Sequence, residues 1–278
     1  MPMTIRELER KAYEIRMDII QALLLAKSGH SAGPLGMADI FTALYFQVAN
    51  IDPKRRQDPE RDRVVLSNAH ICPVLYATLA QRGFCSREKF LTSLRKLGSP
   101  FQGHSNNHYD MGIETSGGPL AQGISQAVGM ALAGRMNDED WNVYCLTGDG
   151  ELNEGQCWEA IMMAGKERLH RLIAIVDRNH IQIDGNTEDI MPLEPLADKW
   201  RAFGWNVIEI NGHNMQEILD GLEEARAHKS APTVLIAHTI PGKGVSFMEN
   251  KYEWHGKPPN EAEAVQALLE LQAIHDRL

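Results

Sequence analysis

Two polar clusters follow predicted strands, and their spacing indicates a metal-binding edge. Gly148-Asp149-Gly150 follows the apolar run 142–147, and Asn179 follows the apolar run 172–177. Asp149 and Asn179 are 30 residues apart, the length of one strand–helix–strand unit. Because ligands of open parallel sheets bind outside the carboxyl ends of the strands, both side chains should reach one site. Mg²⁺ prefers such oxygen ligands and commonly shares them with phosphates.

The glycines of this segment add a feature that is typical of phosphate binding. Gly148 and Gly150 let a backbone approach a ligand closely, and the N-terminus of the helix that follows favours an anion. Each signal alone is also compatible with an ordinary Asp-Gly or Asn-His turn. Together, at one sheet edge, they favour a site for a metal and a diphosphate.

Four of the eleven histidines lie in loops beside glycine or at a strand end: His30, His70, His104 and His255. Imidazoles donate or accept hydrogen bonds to sugar hydroxyls, and they move protons near neutral pH. Taken alone, a histidine in such a position is more often structural than catalytic. A zinc site is a further alternative, although none of the four has the short spacing of a local ligand pair.

Short apolar runs alternate with helical patterns and must position these residues. Strands are predicted at 64–68, 142–147, 172–177, 206–210 and 233–238. Helices are predicted from Thr4 to near Gly29, at 37–48, in the stretch up to 97, at 122–134, 153–168, 192–203 and 214–228, and after Asn260, with loops at 28–36 and 98–123. N-caps are predicted at Thr4, Asn153 and Asn214. Alternating elements predict the α/β class, with a doubly wound, mostly parallel sheet and helices on both faces.

Composition excludes several classes of protein. The chain has 278 residues, 43% of them hydrophobic, and a net charge of −9 with no basic cluster, which argues against nucleic acid or an anionic membrane as partner. No apolar run approaches the roughly 18 residues that a membrane span needs. The four cysteines form no C-x-x-C pair, so a reduced, cytoplasmic location is expected.

The two polar clusters, in GDGELNEGQCWEA and IVDRNHIQIDG, together resemble the thiamine diphosphate motif, which opens with GDG and closes with Asn. This resemblance implies that Asp149, Asn179 and the backbone carbonyl of Ile181 bind Mg²⁺, for which Ca²⁺ or Mn²⁺ could substitute. Because several classes of thiamine enzyme share the motif, it does not by itself name the reaction.

Further segments resemble the transketolase family, and the resemblance covers about residues 10 to 260: SGHSAGPLGMADI, RDRVVLSNAH, SGGPLAQGISQAVGMA and PGKGVSFMENKYEWHGKP. It implies that the four loop histidines line a substrate channel around the thiazolium ring. There they would bind hydroxyls and the carbonyl oxygen of a sugar donor, with His30 and His255 nearest the developing oxyanion.

The same resemblance implies further contacts with the cofactor. Gly118 and Leu120 would touch it, Gly150 would face its diphosphate, and Lys243 would pair with that diphosphate. Glu154 resembles a glutamate of a subunit-interface network that links two active sites. Lys243 is also compatible with a solvated loop lysine, and Glu154 with a first-turn glutamate that favours the helix dipole.

The chain departs from the family pattern at a few positions beside these residues. Ser31 stands where proline is usual, Ala69 replaces the glycine before His70, and 71–73 read Ile-Cys-Pro instead of small residues. His180 follows Asn179 where glycine is frequent. None of these departures removes a metal ligand, although residues 71–73 could reshape the channel.

Typical transketolases have three domains, and the resemblance reaches only the first, so residues 1–278 are expected to form one diphosphate-binding domain. The pyrimidine-binding and C-terminal domains are expected on a separate chain, in a heterotetramer. The resemblance implies transfer of a two-carbon ketol unit from a ketose or ketose phosphate to an aldose. The alternatives are a subunit similar to the α chain of 2-oxoacid dehydrogenases, against which the four histidines and WHGKP argue, and a non-catalytic regulatory subunit.

Overall fold

The computed structural model describes residues 2–278, in which helices and strands alternate. The helices are α1 (Ile5–Ala26), α2 (Ala32–Ala43, continued by a π-helical turn at Leu44–Val48), α3 (Cys72–Arg82), α4 (Arg87–Ser93), α5 (Gln122–Met136), α6 (Gly155–Glu167), α7 (Thr187–Ile190), α8 (Leu196–Ala202), α9 (Met215–Ala227) and α10 (Glu261–His275). The strands are β1 (Arg63–Leu66), β2 (Val143–Gly148), β3 (Leu172–Arg178), β4 (Ile181–Gln182), β5 (Gly185–Asn186), β6 (Asn206–Asn211) and β7 (Thr233–His238). Within residues 2–278, no helix is both long and apolar enough to cross a membrane.

The main sheet has the strand order β1-β2-β3-β7-β6, and every neighbouring pair in it is parallel. The predicted α/β class is therefore confirmed. In the register of β2 and β3, Gly148 lies opposite Asp177, so the two strands end at the same level. The short antiparallel hairpin β4–β5 follows β3 and lies next to this edge.

Side chains that alternate along the strands supply two hydrophobic cores, one on each face of the sheet. In β2, Tyr144 and Leu146 pack with α1, α2, α3, α9 and α10, whereas Val143 and Cys145 pack with α5, α6 and α8. All seven residues of β3 are buried because helices cover both of its faces. The sheet is thus doubly wound, as predicted.

The second helix begins earlier than predicted. The segment 28–36 reads as a Gly/Pro loop, but α2 starts at Ala32. Pro34 lies in the first turn, where its missing N–H breaks no helical hydrogen bond. A Cβ on Gly33 would lie 2.8 Å from Cγ2 of Ile71, and one on Gly36 would lie 3.1 Å from the carbonyl oxygen of Ile240. These glycines therefore do not form a turn; they allow α2 to pack closely against Ile71 and Ile240.

Two of the three predicted N-caps are confirmed. The Thr4 side chain forms a capping box with Glu7, and the Asn214 side chain accepts from the N–H groups that follow it. The prediction for Asn153 is wrong, because a 3₁₀ turn at Gly150–Asn153 comes first and α6 begins at Gly155. The Asn153 side chain instead donates to the carbonyl oxygen of Met191, at 3.2 Å.

We expect Gly165→Ala to lower the free energy of unfolding by at least about 2 kcal/mol. A Cβ at this position of α6 would lie 1.9 Å from the carbonyl oxygen of Phe203, so the backbone would have to shift. Urea denaturation measures the change. The control is Gly129→Ala in α5. A Cβ on Gly129 would meet nothing within 4 Å, so this substitution should stabilise the helix by up to about 1 kcal/mol. Equal effects of the two substitutions would contradict the close packing.

Candidate functional site

A cavity of about 270 Å³ lies at the carboxyl ends of β1, β2 and β3. Its lining brings together most of the predicted site residues, namely His30, His70, His104, His255, Gly118, Leu120, Asp149, Gly150, Asn179 and Ile181. Two predicted residues lie outside this lining. Lys243 is half-buried in the loop after β7, and Glu154 is exposed at the start of α6. Their roles stay predictions.

Asp149 is buried, and protein groups hold its carboxylate from several sides. Its Oδ1 accepts from the N–H of Gly150 at 2.7 Å. Its Oδ2 accepts from the N–H of His180 at 2.7 Å and from Nη1 of Arg178 at 3.0 Å. Burial raises the pKa of Asp149 to about 6, against the opposing charge of Arg178. Since a carboxylate has about four acceptor positions, one position remains for a cation.

The amide of Asn179 is held by two hydrogen bonds that distinguish its ends. Nδ2 donates to Oδ2 of Asp177 at 2.8 Å, and Oδ1 accepts from the N–H of Ile181 at 3.0 Å. Asp177 is itself buried and accepts from the hydroxyl of Thr239. Burial raises the pKa of Asp177 to about 7, and the neighbouring charge of Asp149 adds to the rise. The amide oxygen of Asn179 keeps a second lone pair for a further partner.

The chain turns sharply after Asn179, and His180 has a φ of 63°, in the left-handed region. The family's frequent glycine at this position therefore has a conformational reason. The backbone N–H of His180, not its side chain, donates to Asp149. The contact is therefore kept although histidine stands here in place of glycine.

Arg178 is a residue whose role the sequence did not reveal. Its side chain is fully buried, and besides Asp149 it binds three partners from the segment after β5: Thr187 at 2.9 Å, Glu188 at 2.7 Å and Glu194 at 2.8 Å. The guanidinium thus compensates the charge of Asp149 and ties the segment after β5 to it. The one feature of the sequence that could have indicated this role is that Arg178 is a charged residue at the end of a continuous apolar run.

Glu151 is a second buried carboxylate that sequence reasoning missed. It accepts from the N–H of Gly148 at 2.9 Å, from the N–H of Ala121 at 2.6 Å, and from the hydroxyl of Ser67. Burial raises its pKa. Through these bonds Glu151 joins the end of β1, the end of β2 and the start of α5, so it fixes the glycine that precedes Asp149.

The four predicted histidines form one cluster around His30. The centroid of the His30 ring lies 5.0 Å from that of His70, 5.5 Å from that of His255 and 6.5 Å from that of His104. Burial lowers the pKa of His30 to about 4, and it lowers the pKa of the other three as well. The rings are therefore neutral near pH 7. The buried Nδ1 of His30 has no hydrogen-bond partner within residues 2–278.

The zinc alternative finds no support in the described part of the chain. There, no group of three or more His, Cys, Asp or Glu side chains could hold a metal ion. The four histidines form one set of hydrogen-bonding groups in the cavity, and Asp149 and Asn179 add a set of oxygen ligands.

Comparisons with known proteins show the family to which the chain is similar. Residues 8–272 match the family model described as transketolase, thiamine diphosphate binding domain. The chain is 43% identical to the 6-deoxy-6-sulfo-D-fructose transketolase subunit of Clostridium sp. (strain MSTE9), over 96% of each chain. It is 38% identical to one of the subunits of the apulose-4-phosphate transketolase of Phocaeicola vulgatus, over 99% of this chain and 98% of that one.

A solved structure of transketolase from Campylobacter jejuni has a TM-score of 0.88 and 32% identity to this chain. The match covers 100% of this chain but only 46% of that enzyme. The chain thus spans about half the length of the solved enzyme and nearly the full length of the two separate subunits.

We expect stability to fall as the pH is lowered from about 6.5 to about 4, in part because of His30. The unfolded chain binds a proton at this residue below its ordinary pKa of 6.5, whereas the folded chain does so only near 4. The buried neutral form therefore contributes stability above pH 6.5, and this contribution is lost towards pH 4. Urea denaturation across this range should show a flatter pH dependence for His30→Asn than for the wild type. The control His108→Asn, at an exposed position outside the cavity, should keep the wild-type slope; the same slope in His30→Asn would contradict the assignment.

Proposed function

Because the chain belongs to the family of transketolase thiamine diphosphate-binding domains, we propose that it is the N-terminal subunit of a split transketolase. The enzyme would transfer a two-carbon ketol unit from a ketose or ketose phosphate to an aldose, with thiamine diphosphate and Mg²⁺. Residues 1–278 would form one diphosphate-binding domain, and a separate chain would supply the pyrimidine-binding and C-terminal domains. The relatives described above are transketolases or their subunits, which supports this function over the 2-oxoacid dehydrogenase alternative.

The observation that carries the proposal is a single cavity lined by two chemically different groups of side chains. Asp149 and Asn179 form one group, at which a divalent cation and a diphosphate would bind. His30 and the three histidines around it form the other group, at which sugar hydroxyls would bind. A cofactor with a diphosphate tail and a reactive ring would use both groups at once.

Mg²⁺ would be held by Asp149, Asn179 and the backbone carbonyl of Ile181. The donor chemistry fits this ion, because the carboxylate and the amide oxygen each keep a lone pair after their bonds within the protein. All three residues line the cavity. Diphosphate oxygens and water would complete the octahedral shell, and Ca²⁺ or Mn²⁺ could take the place of Mg²⁺.

When bound, thiamine diphosphate supplies the carbon nucleophile and the electron sink for breaking and forming the carbon–carbon bond. The four histidines would orient the hydroxyls of the sugar. Because their pKa values are lowered, each neutral ring can donate from one nitrogen and accept at the other. His30 and His255 would donate to the donor's carbonyl oxygen as negative charge develops on it.

The substrate is proposed only as a sugar or sugar phosphate, since the two relatives are named for different ketoses. The departure from the family pattern at residues 71–73 bears on this choice. The thiol of Cys72 lies 3.3 Å from the carbonyl oxygen of Gly103. The Tyr76 hydroxyl donates to the carbonyl oxygen of Gln102 at 3.0 Å. These contacts hold the loop that carries His104, so the segment after β1 helps to set the shape of the channel.

The partner chain would cover the apolar rim of the cavity. Leu120 and Ile183 line the cavity, yet 39% and 65% of their surfaces are exposed. Ile190 and Met191 are exposed nearby on α7 and after it. Glu154, exposed at the start of α6, is available for the proposed interface network, and the assembly would be a heterotetramer.

All four cysteines are free within residues 2–278, which supports the proposed cytoplasmic location.

Replacing Asp149 with Ala should weaken Mg²⁺-dependent binding of thiamine diphosphate by at least about 100-fold, because the carboxylate is the charged metal ligand. Isothermal titration calorimetry measures this binding, and Asp149→Asn retains the shape should the alanine variant unfold. Asp189→Ala removes an exposed carboxylate outside the cavity and is the matched control. Undiminished binding by both Asp149 variants would contradict the metal assignment.

Together with its partner chain, the wild type should transfer ketol units from a ketose phosphate and should not turn over 2-oxoacids. His30→Ala should lower kcat about 100-fold while leaving the affinity for Mg²⁺–thiamine diphosphate nearly unchanged, because His30 would contact the sugar rather than the metal or the diphosphate. Steady-state kinetics measures kcat, and calorimetry measures the affinity for Mg²⁺–thiamine diphosphate. Cofactor binding without any ketol transfer by the wild-type complex would favour the regulatory alternative.

A further inference from the structure

We propose that Asn68 binds the diphosphate of thiamine diphosphate through its side-chain amide. This inference rests on the proposed function, since it assigns a further binding residue to the same cofactor. Asn68 is the second residue after β1, lines the cavity and is only 1% exposed. Neither its Oδ1 nor its Nδ2 has a hydrogen-bond partner in the described part of the protein. A buried amide with both ends unpaired is costly, which points to a ligand that pairs with it.

The amide of Asn68 lies beside the residue that precedes the proposed metal ligand Asp149. A Cβ on Gly148 would lie 3.7 Å from Cβ and 3.8 Å from Nδ2 of Asn68, and Gly148 directly precedes Asp149. His70 follows Asn68 by two residues and belongs to the histidine cluster. The amide thus lies close to the residue before Asp149 and, along the chain, to the histidine cluster.

The charges of the cavity wall explain why such a donor is needed. Three buried carboxylates belong to this wall, namely Asp149, Glu151 and Asp177. Among residues 2–278, no lysine or arginine lines the cavity, and Lys243 lies outside its lining. Among the groups that line the cavity, beyond the metal, only neutral N–H groups can therefore bind an anionic diphosphate.

Nearby N–H groups are already committed within the protein. Those of Gly150 and His180 donate to Asp149, and that of Gly148 donates to Glu151. Nδ2 of Asn68 is a buried donor beside these groups, and it forms no hydrogen bond with any of residues 2–278. Phosphate oxygens only accept hydrogen bonds, so Nδ2 is the end of the amide that binds them.

The test compares Asn68→Leu with Thr147→Val. Thr147 is fully buried on β2, its hydroxyl also has no partner among the described residues, and it does not line the cavity. Both substitutions replace an unpaired polar group with an apolar one of similar size, so both should keep or raise the stability of the cofactor-free chain in urea. Only Asn68→Leu should weaken the binding of Mg²⁺–thiamine diphosphate, by about 10- to 100-fold in calorimetry of the complex with the partner chain.

Inorganic pyrophosphate with Mg²⁺ serves as a competitor that carries the diphosphate group alone. Its affinity should fall by a similar factor in Asn68→Leu and stay unchanged in Thr147→Val. Should the leucine variant fail to fold, Asn68→Asp keeps the shape, removes the donor and should weaken binding at least as much.

Three results would overturn the inference: equal binding of both ligands by wild type and variant, weakening for thiamine diphosphate but not for pyrophosphate, or a loss of stability that accounts for the weaker binding. A wild-type complex that binds no Mg²⁺–thiamine diphosphate would instead overturn the proposed function.

Discussion

Burial of carboxylates at one edge of the sheet is the constraint on which the site depends. Asp149, Glu151 and Asp177 lie within one cavity wall, and each is 2% exposed or less. Buried carboxylates are tolerated only when charges or hydrogen bonds compensate them. The surrounding loops supply these groups, including the guanidinium of Arg178 and the backbone N–H of His180 in its left-handed conformation. The local chain path therefore follows from the need to satisfy these carboxylates.

The two groups of side chains in the cavity use electrostatics in different ways. The group with Asp149 contains ionisable oxygens whose pKa values burial raises, and it suits a cation that in turn recruits an anion. The group with His30 consists of neutral rings whose pKa values burial lowers, and it suits uncharged hydroxyls. This difference would orient a ligand that carries charge on one part and hydroxyls on another.

Much of the fold and part of the site could be predicted, because both follow from local patterns. Apolar runs indicated the five strands of the sheet, and residues that follow strand ends, such as Asp149, Asn179 and, four residues after β1, His70, do line the cavity. The start of α2 was missed because Pro34 and its glycines are equally typical of loops. Arg178 and Glu151 were missed because their partners come from separate segments of the chain, and no local pattern encodes such pairings.

The complete burial of β3 has a consequence for how the site moves. Backbone amides in a central strand covered on both faces exchange with solvent only when most of the domain opens. The Asn179 end of the cavity continues directly from that strand, whereas the histidines come from turns and from the irregular segment 98–121. Sub-global openings can therefore rearrange the histidines while the part of the wall with Asn179 stays preformed. If the histidines contact the sugar as proposed, a change of substrate preference during evolution would need to remodel only the less protected part of the cavity.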